Sequence, residues 1–321
     1  MATVKIPGGP KVPGFLKPNS VTPEGLRKSG VRPAWMEKPH PLAVVGKFLV
    51  IAIICFVTIY PFVLVIGTSL STTEEINRKG GLVLWPDSPS LDAYYAIFSG
   101  GTVSGALIRS ILITVIGTAV HVVATILMAY GLSKRDLVGG KFFLMTVLLT
   151  MLFSPGLIPS FLMVNALGLM NNYAALILPG LISAFNMVIL RSFFMNIPEE
   201  LKESARIDGA GDLSILWRII LPLSKGVIAV ITLFTAVGFW NSYFGALLYL
   251  ESDKWPLPMI LREYVLLGAP MADGNFNSEV VVPSQAIQMA VVVVSLVPIL
   301  LVYPFLQKYF TKGVLTGAIK G

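Results

Sequence analysis

Long apolar runs separated by short polar segments make up most of the chain. Six of them, at about 47–70, 106–131, 142–165, 173–194, 226–250 and 285–309, are long enough to cross a membrane as helices. Each crossing of about 30 Å of hydrocarbon takes roughly 20 residues. The pattern predicts an all-α, polytopic membrane protein with six transmembrane helices. Pro61, Pro155, Pro159, Pro179 and Pro298 fall inside the runs. Such prolines are tolerated where neighbouring helices or water satisfy the freed carbonyls, so kinked helices packed around a cavity are expected. Residues 1–45 differ sharply, being rich in Pro, Gly, Lys and Arg. This segment cannot build a core and reads as a largely disordered, basic arm. It is not a signal peptide, because the apolar run that follows is too long for that role. The expected division is therefore an arm of 1–45 and a membrane domain of 46–321.

Composition agrees with the runs. The 321 residues are 55% hydrophobic and 13% charged, with mean hydropathy +0.78. An average soluble domain is about 25% charged, and in water a chain this apolar exposes large sticky patches. The lipid bilayer is its natural solvent. The net charge of +7 does not point to nucleic acid. The basic residues lie between apolar runs instead of clustering with aromatics on a soluble domain.

The basic residues set topology instead. With the N-terminus inside, only Arg78, Lys79, Arg109, Lys254 and Arg262 fall on the outer side, and the other 19 of the 24 Lys and Arg are inner. Both termini are thus expected in the cytoplasm. The single cysteine, Cys55, excludes an internal disulfide or a cysteine-rich metal site, and no metal site is expected. His121 reads as a packed helix residue facing other helices.

One polar stretch stands out after the arm, "ESARIDGAGDLSILWRIILP" from Glu203 to Pro222, between the fourth and fifth runs. Just before it, "NIPEEL" carries helix-start signals: Asn196 as N-cap, Pro198 in the first turn, and Glu199 and Glu200 near the positive helix end. Glu199, Lys202, Glu203 and Arg206 are spaced to pair along one helix. Gly209-Ala210-Gly211 breaks that helix. Asp212 then caps a second one, with an apolar stripe of Leu213, Leu216, Trp217 and Ile220, and Pro222 ends it. Gly209 to Asp212 also spells the Gly-x-Gly-Asp pattern of intramembrane aspartyl proteases. That chemistry needs two carboxylates inside the membrane, and none of the six runs holds an Asp or Glu.

The helix–turn–helix over about 196–222 resembles the EAA coupling loop of permease subunits in ATP-binding-cassette importers. That pattern is Glu-Ala-Ala, three residues, Gly, nine residues, then Ile-x-Leu-Pro. Glu203, Ala205, Gly209, Ile219, Leu221 and Pro222 are in register, and Ser204 replaces the middle alanine. Asp208, Gly209 and Ala210 match the common Asp-Gly-Ala variant. The six runs, "FWNSYFGALLYL" in the fifth and the ending "QKYFTKGVLTGAIKG" are similar to the smaller permease of maltose-type carbohydrate importers.

The resemblance implies a binding-protein-dependent importer in a bacterial inner or plasma membrane. Its partners are a second permease, two ATP-binding subunits and an extracytoplasmic solute-binding protein. It implies that the loop docks on an ATPase and couples nucleotide-driven closure to rocking of the membrane helices. ATP and Mg belong to that partner, so the chain is expected to be no enzyme and to bind no cofactor. The residues agree, since "GGKFF" at Gly139–Phe143 lacks the spacing and the Ser/Thr of a phosphate loop. A secondary transporter is the alternative, and the absence of an intramembrane carboxylate weighs against it.

For cargo, Trp240, Asn241, Tyr243 and Phe244 offer sugar-stacking faces and hydrogen bonds on the fifth helix. The spacing puts Trp240 and Phe244 on one face. Asn165 and Asn186 read as weaker candidates or as helix–helix hydrogen bonders. A sugar or oligosaccharide is the expected solute, with a non-sugar solute as the alternative.

Overall fold

A computed structural model of the chain describes residues 41–99, 101–153, 155–266 and 285–318. Residues 1–40, most of the expected arm, lie outside them. Helix α1 (Pro41–Ser69) begins inside the segment assigned to the arm. The chain divides into two units, Met1–Thr58 and Ile59–Gly321. The described part of the first unit is a stretch of α1 that is apolar except for Lys47 and Thr58. In it Thr58 hides its hydroxyl by donating to the Ile54 carbonyl, 2.8 Å away on the preceding turn.

The second unit starts with the last turns of α1 and a small polar cap. Helix α2 (Thr73–Arg78) opens on Thr72, whose Oγ1 accepts the Glu75 N–H, and carries Glu74 and Glu75 in its first turn. Both features stabilise a helix N-terminus. Helix α3 (Asp92–Ser99) follows, and its Tyr94 hydroxyl meets Ser69 Oγ at the end of α1 at 2.8 Å.

Helix α4 (Thr102–Ser133) is a long apolar element at the centre of the packing. It packs along α11 (Lys225–Trp240) and α8 (Ala184–Met195), while α14 (Gln285–Ala318) covers α11 and α3. Two cores result. One gathers Ile97, Val103, Trp240, Leu257 and Val291 around the start of α4. The other gathers Tyr130, Leu190, Phe194, Ile215, Leu216 and Ile220 around its end. No strand occurs among the described residues.

The six runs are not six unbroken helices. Three helices, α1, α4 and α14 over Gln285–Val302, are by themselves long and apolar enough to span. The third run splits into α5 (Gly140–Leu152) and α6 (Leu157–Ala166), with Pro155 and Gly156 in the break. The fourth splits into α7 (Ala174–Ile177) and the 12-residue α8, on either side of Pro179-Gly180. The fifth stops at Trp240 and resumes as α12 (Tyr243–Tyr249) before α13 (Leu257–Leu266). In each of the first two breaks a proline cannot donate and a glycine follows it. Apolar side chains such as Ile108, Leu112, Val115 and Ile116 on α4 stay exposed, as lipid contact requires.

Candidate coupling site

The polar stretch folds as two short helices joined by a tight turn. Helix α9 (Glu199–Ile207) starts two residues later than its sequence signals indicate. Pro198 is its N-cap, and Asn196 closes α8 instead. Within α9, Glu199 receives Lys202 at 2.9 Å and Arg206 at 3.8 Å. Glu203 joins neither pair and stands exposed with its carboxylate free among the described residues. Lys202 is buried along its stem while its ammonium reaches Glu199, the usual behaviour of a long amphipathic side chain.

The turn has a defined geometry. Ala210 N–H donates to the Ala205 carbonyl at 2.9 Å, and Gly209 N–H donates to the Arg206 carbonyl at 3.0 Å. These two bonds satisfy carbonyls that the end of a helix leaves open, and the motif needs a left-handed residue at its centre. Gly209 supplies it with φ +81°. Space is not the constraint, because a Cβ there meets nothing within 4 Å. The L-residue penalty in that region is the constraint.

Helix α10 (Asp212–Leu223) is irregular. Its N-cap is Gly211, and Leu216–Ile220 forms a π-helical turn. The extra residue in that turn rotates the side chains that follow it. The expected stripe splits. Ile215, Leu216 and Ile220 are buried, while Leu213 and Trp217 are 64% and 65% exposed. Pro222 sits inside the last turn and does not end the helix; the break comes at Ser224, where the chain bends by 84° into α11. Ala205, Asp208, Gly209, Ser214, Ile215 and Ile219 line a cleft of about 380 Å³ between the two helices.

Four contacts around this end of the membrane helices escaped the sequence pattern. Lys134 Nζ, just past the end of α4, reaches Asp212 Oδ2 at 2.5 Å and lies 5.4 Å from the Tyr130 ring centroid. The Tyr130 hydroxyl donates to the Asp212 carbonyl at 3.2 Å. Arg191 Nε on α8 donates to the Leu132 carbonyl at 2.8 Å. Basic side chains at helix ends are the only signal the sequence carries for them. Asp212, read as a cap, is instead an anchor between α10 and α4.

The four candidate path residues do not form one face. Trp240 is buried in the core at the start of α4, only 7% exposed. Asn241 and Ser242 break the helix, and the Asn241 Nδ2 donates back to Val237 O at 2.9 Å. Tyr243 and Phe244 belong to the next helix, where both are exposed. The spacing of Trp240 and Phe244 therefore does not put them on one face. Asn186 pairs with a histidine, as a helix–helix hydrogen bonder should. Its Nδ2 lies 3.3 Å from His121 Nε2, and His121 Nδ1 lies 3.1 Å from the Gly180 carbonyl.

A helical membrane domain with two short helices between the fourth and fifth apolar segments has known relatives. Residues 93–316 match the model of the binding-protein-dependent transport system inner membrane component. The chain belongs to this family. It is therefore the membrane permease component of an ATP-binding-cassette importer that works with a solute-binding protein, and a multi-pass inner membrane protein. YtcP of Bacillus subtilis, a polygalacturonan/rhamnogalacturonan transport system permease protein, is 49% identical over 87% of this chain and 98% of its own length. Protein LplC of the same organism is 47% identical over 83% of this chain and 90% of its own. A solved bacterial ABC transporter involved in the import of the acidic polysaccharide alginate has a chain matching at TM-score 0.77 and 28% identity. That match covers 87% of this chain and 100% of the other.

Proposed function

We propose that this chain is one of two permeases of an importer for an acidic, uronate-containing oligosaccharide. The observation that carries the cargo class is the near full-length identity to a permease named for polygalacturonan and rhamnogalacturonan transport. The likeness to a chain of an alginate importer supports the same class. Two ATPase subunits supply the energy, with ATP and Mg held on them and not here. The apolar segments between α4 and α14 complete six crossings, with both termini in the cytoplasm.

The docking element for the ATPase is α9, the Gly209 turn and α10. Ile207, 86% exposed, joins Leu213 and Trp217 as large apolar side chains on a polar loop. An apolar group rimmed by charge is what a protein partner covers. Glu203, Ser204, Ala205, Asp208, Gly209 and Ala210 form its first half, and Ile219, Leu221 and Pro222 its second. Among the path residues, Asn241, Tyr243 and Phe244 at the break between α11 and α12 face outward and are offered to cargo or to the second permease.

The test is uptake of trigalacturonate by proteoliposomes carrying the complete importer, with its binding protein outside. ATP-dependent accumulation supports the reading. Uptake of neutral oligosaccharides alone overturns the acidic cargo. Topology is checked separately in a Cys55-free background, where Ser88→Cys is expected to react with an impermeant thiol reagent from outside and Asp136→Cys is not.

A further inference from the structure

Helix α4 carries one cation within its apolar length. Arg109 lies two turns in from Thr102, and its side chain is half-buried. Its Nε–H donates to the Trp255 carbonyl at 3.0 Å, which fixes one edge of the guanidinium. The group lies back over Gly105, where a Cβ would stand 3.1 Å from Nη1, so the glycine leaves the room that the charge fills. Among the described residues no carboxylate oxygen comes within 4.0 Å of it, and Nη1 and Nη2 have no hydrogen-bond acceptor.

A guanidinium is always charged, and a charge within a membrane helix is costly unless it is paired or faces a polar path. The charged terminal nitrogens of the other described basic side chains of the outer group each meet an anion or a carbonyl, whereas Arg109 is held through Nε alone. Arg78 and Lys79 hold Asp87, Lys254 donates to the Asn171 carbonyl, and Arg262 lies 3.7 Å from Glu263. Arg109 alone among them keeps its charged fork unused. Trp255 and Tyr173 pack on the same small cluster, and the Tyr173 hydroxyl is within electrostatic reach of Arg109 and of the exposed Asp253.

We propose that Arg109 is a specificity-determining residue of the translocation path, its free Nη pair forking onto the carboxylate of a uronate unit in transit. This rests on the acidic-cargo reading above. The planar fork matches a carboxylate with two parallel hydrogen bonds, a match that an ammonium or an amide does not reproduce. A neutral sugar leaves the fork unpaired, so the site favours acid over ester through the same group.

Proteoliposomes holding the complete importer, supplied with saturating binding protein, are assayed with trigalacturonate and with its fully methyl-esterified form. The ester removes the charge and keeps the rings. Arg109→Gln is expected to slow the acid roughly tenfold or more and the ester less than about twofold. Arg109→Lys is expected to fall between wild type and Arg109→Gln on the acid. Equal losses on acid and ester make Arg109 a strut for the Trp255 loop and overturn the proposal, as does unchanged uptake of both. If Arg109→Gln fails to assemble, the acid-to-ester ratio of Arg109→Lys decides in the same way. Wild-type importer that refuses trigalacturonate sinks the acidic-cargo reading and this role together. Wild-type uptake of the acid with insensitive variants sinks only the role of Arg109.

Discussion

Lys134 Nζ and Asp212 Oδ2 lie 2.5 Å apart, joining the end of α4 to the first turn of α10. The Tyr130 hydroxyl holds the backbone of the same Asp212 from the preceding turn of α4. A push on α10 therefore arrives at α4 through two side chains and one carboxylate. Both partners of the ion pair are partly exposed, at 27% and 53%, so the pair itself contributes less than about 1 kcal/mol. Its value lies in register more than in stability. Asp212→Asn and Lys134→Gln are each expected to leave assembly intact and to lower transport per ATP hydrolysed by about two- to fivefold. The swap Lys134→Asp with Asp212→Lys should restore part of the ratio. Transport-to-hydrolysis stoichiometry in reconstituted complexes reads the outcome, and a wild-type ratio in both single variants removes the pair from coupling.

Gly209 should obey its backbone angle and not its surroundings. Gly209→Val places a β-branched residue at φ +81° and is expected to cost about 1–2 kcal/mol in the turn. Gly209→Asn should cost less, because asparagine visits the left-handed region more readily. Gly211, at φ −71°, should accept alanine. ATPase copurification is expected to fall in the order Gly211→Ala, Gly209→Asn, Gly209→Val. The reverse order contradicts the turn geometry.

Trp240 and Asn241 are adjacent but should fail differently. Truncating Trp240 to alanine removes a buried indole from the core shared with Val103 and Leu257, a loss of about 3–5 kcal/mol. Yield and thermal midpoint of the purified complex should drop, and Trp240→Phe should recover much of both. Asn241→Ala, at an exposed helix end, should leave the midpoint within about a degree or two and act on uptake alone. A stable Trp240→Ala protein with slow uptake instead places Trp240 on the path.

His121 bridges two helices with both ring nitrogens. The Gly180 carbonyl can only accept, so Nδ1 carries the proton, and Nε2 accepts from Asn186 Nδ2. His121→Leu leaves the half-buried Asn186 amide and the Gly180 carbonyl without this partner, at less than the roughly 1–3 kcal/mol that a fully buried unsatisfied group costs. The thermal midpoint of His121→Leu should fall further than that of the double variant His121→Leu with Asn186→Leu. Equal midpoints in His121→Leu and wild type mean the bridge adds no stability.

The cap between α1 and α3 should loosen in acid. The Lys79 ammonium, followed by the Asp87 N–H, holds the Glu75 carboxyl below its ordinary value. Lys79 likewise holds Asp87 down, and Asp87 and then Glu75 hold Lys79 up. A lowered carboxyl contributes stability that is present above its unfolded value near 4 and lost as the pH falls through the folded one. The raised ammonium contributes below its unfolded value of about 10.4 and is lost only above it. Hydrogen exchange over residues 72–90 should therefore be flat from about pH 5 to 9 after correction for the intrinsic rate, and faster below about pH 4. Glu75→Gln should exchange faster already at neutral pH. A flat profile through pH 3 argues that the network does not hold the cap.

The amino-acid sequence by itself determined the membrane class, the apolar segments, the charge asymmetry and the place of the polar helix–turn–helix. Those follow from composition, run length and local turn chemistry, which neighbouring residues decide among themselves. The Gly209 turn is legible for that reason, since it needs only the left-handed residue and the two carbonyls before it. The breaks at Pro155, Pro179 and Asn241 were partly legible, because proline marks two of them while nothing local marks the third.

Only the tertiary structure decided which side of α10 is buried. Ile215, Leu216 and Ile220 pack against Tyr130 and Phe194, and a π-helical turn over Leu216–Ile220 accompanies that packing. The same holds for the partners of Lys134, Arg191 and Arg109. Lys134 and Asp212 are 78 residues apart in the chain, and Arg109 and Trp255 are 146 apart. A charge at the end of a helix states a need for a partner, but only the packing of helices far apart in sequence supplies one or leaves the charge free for a ligand.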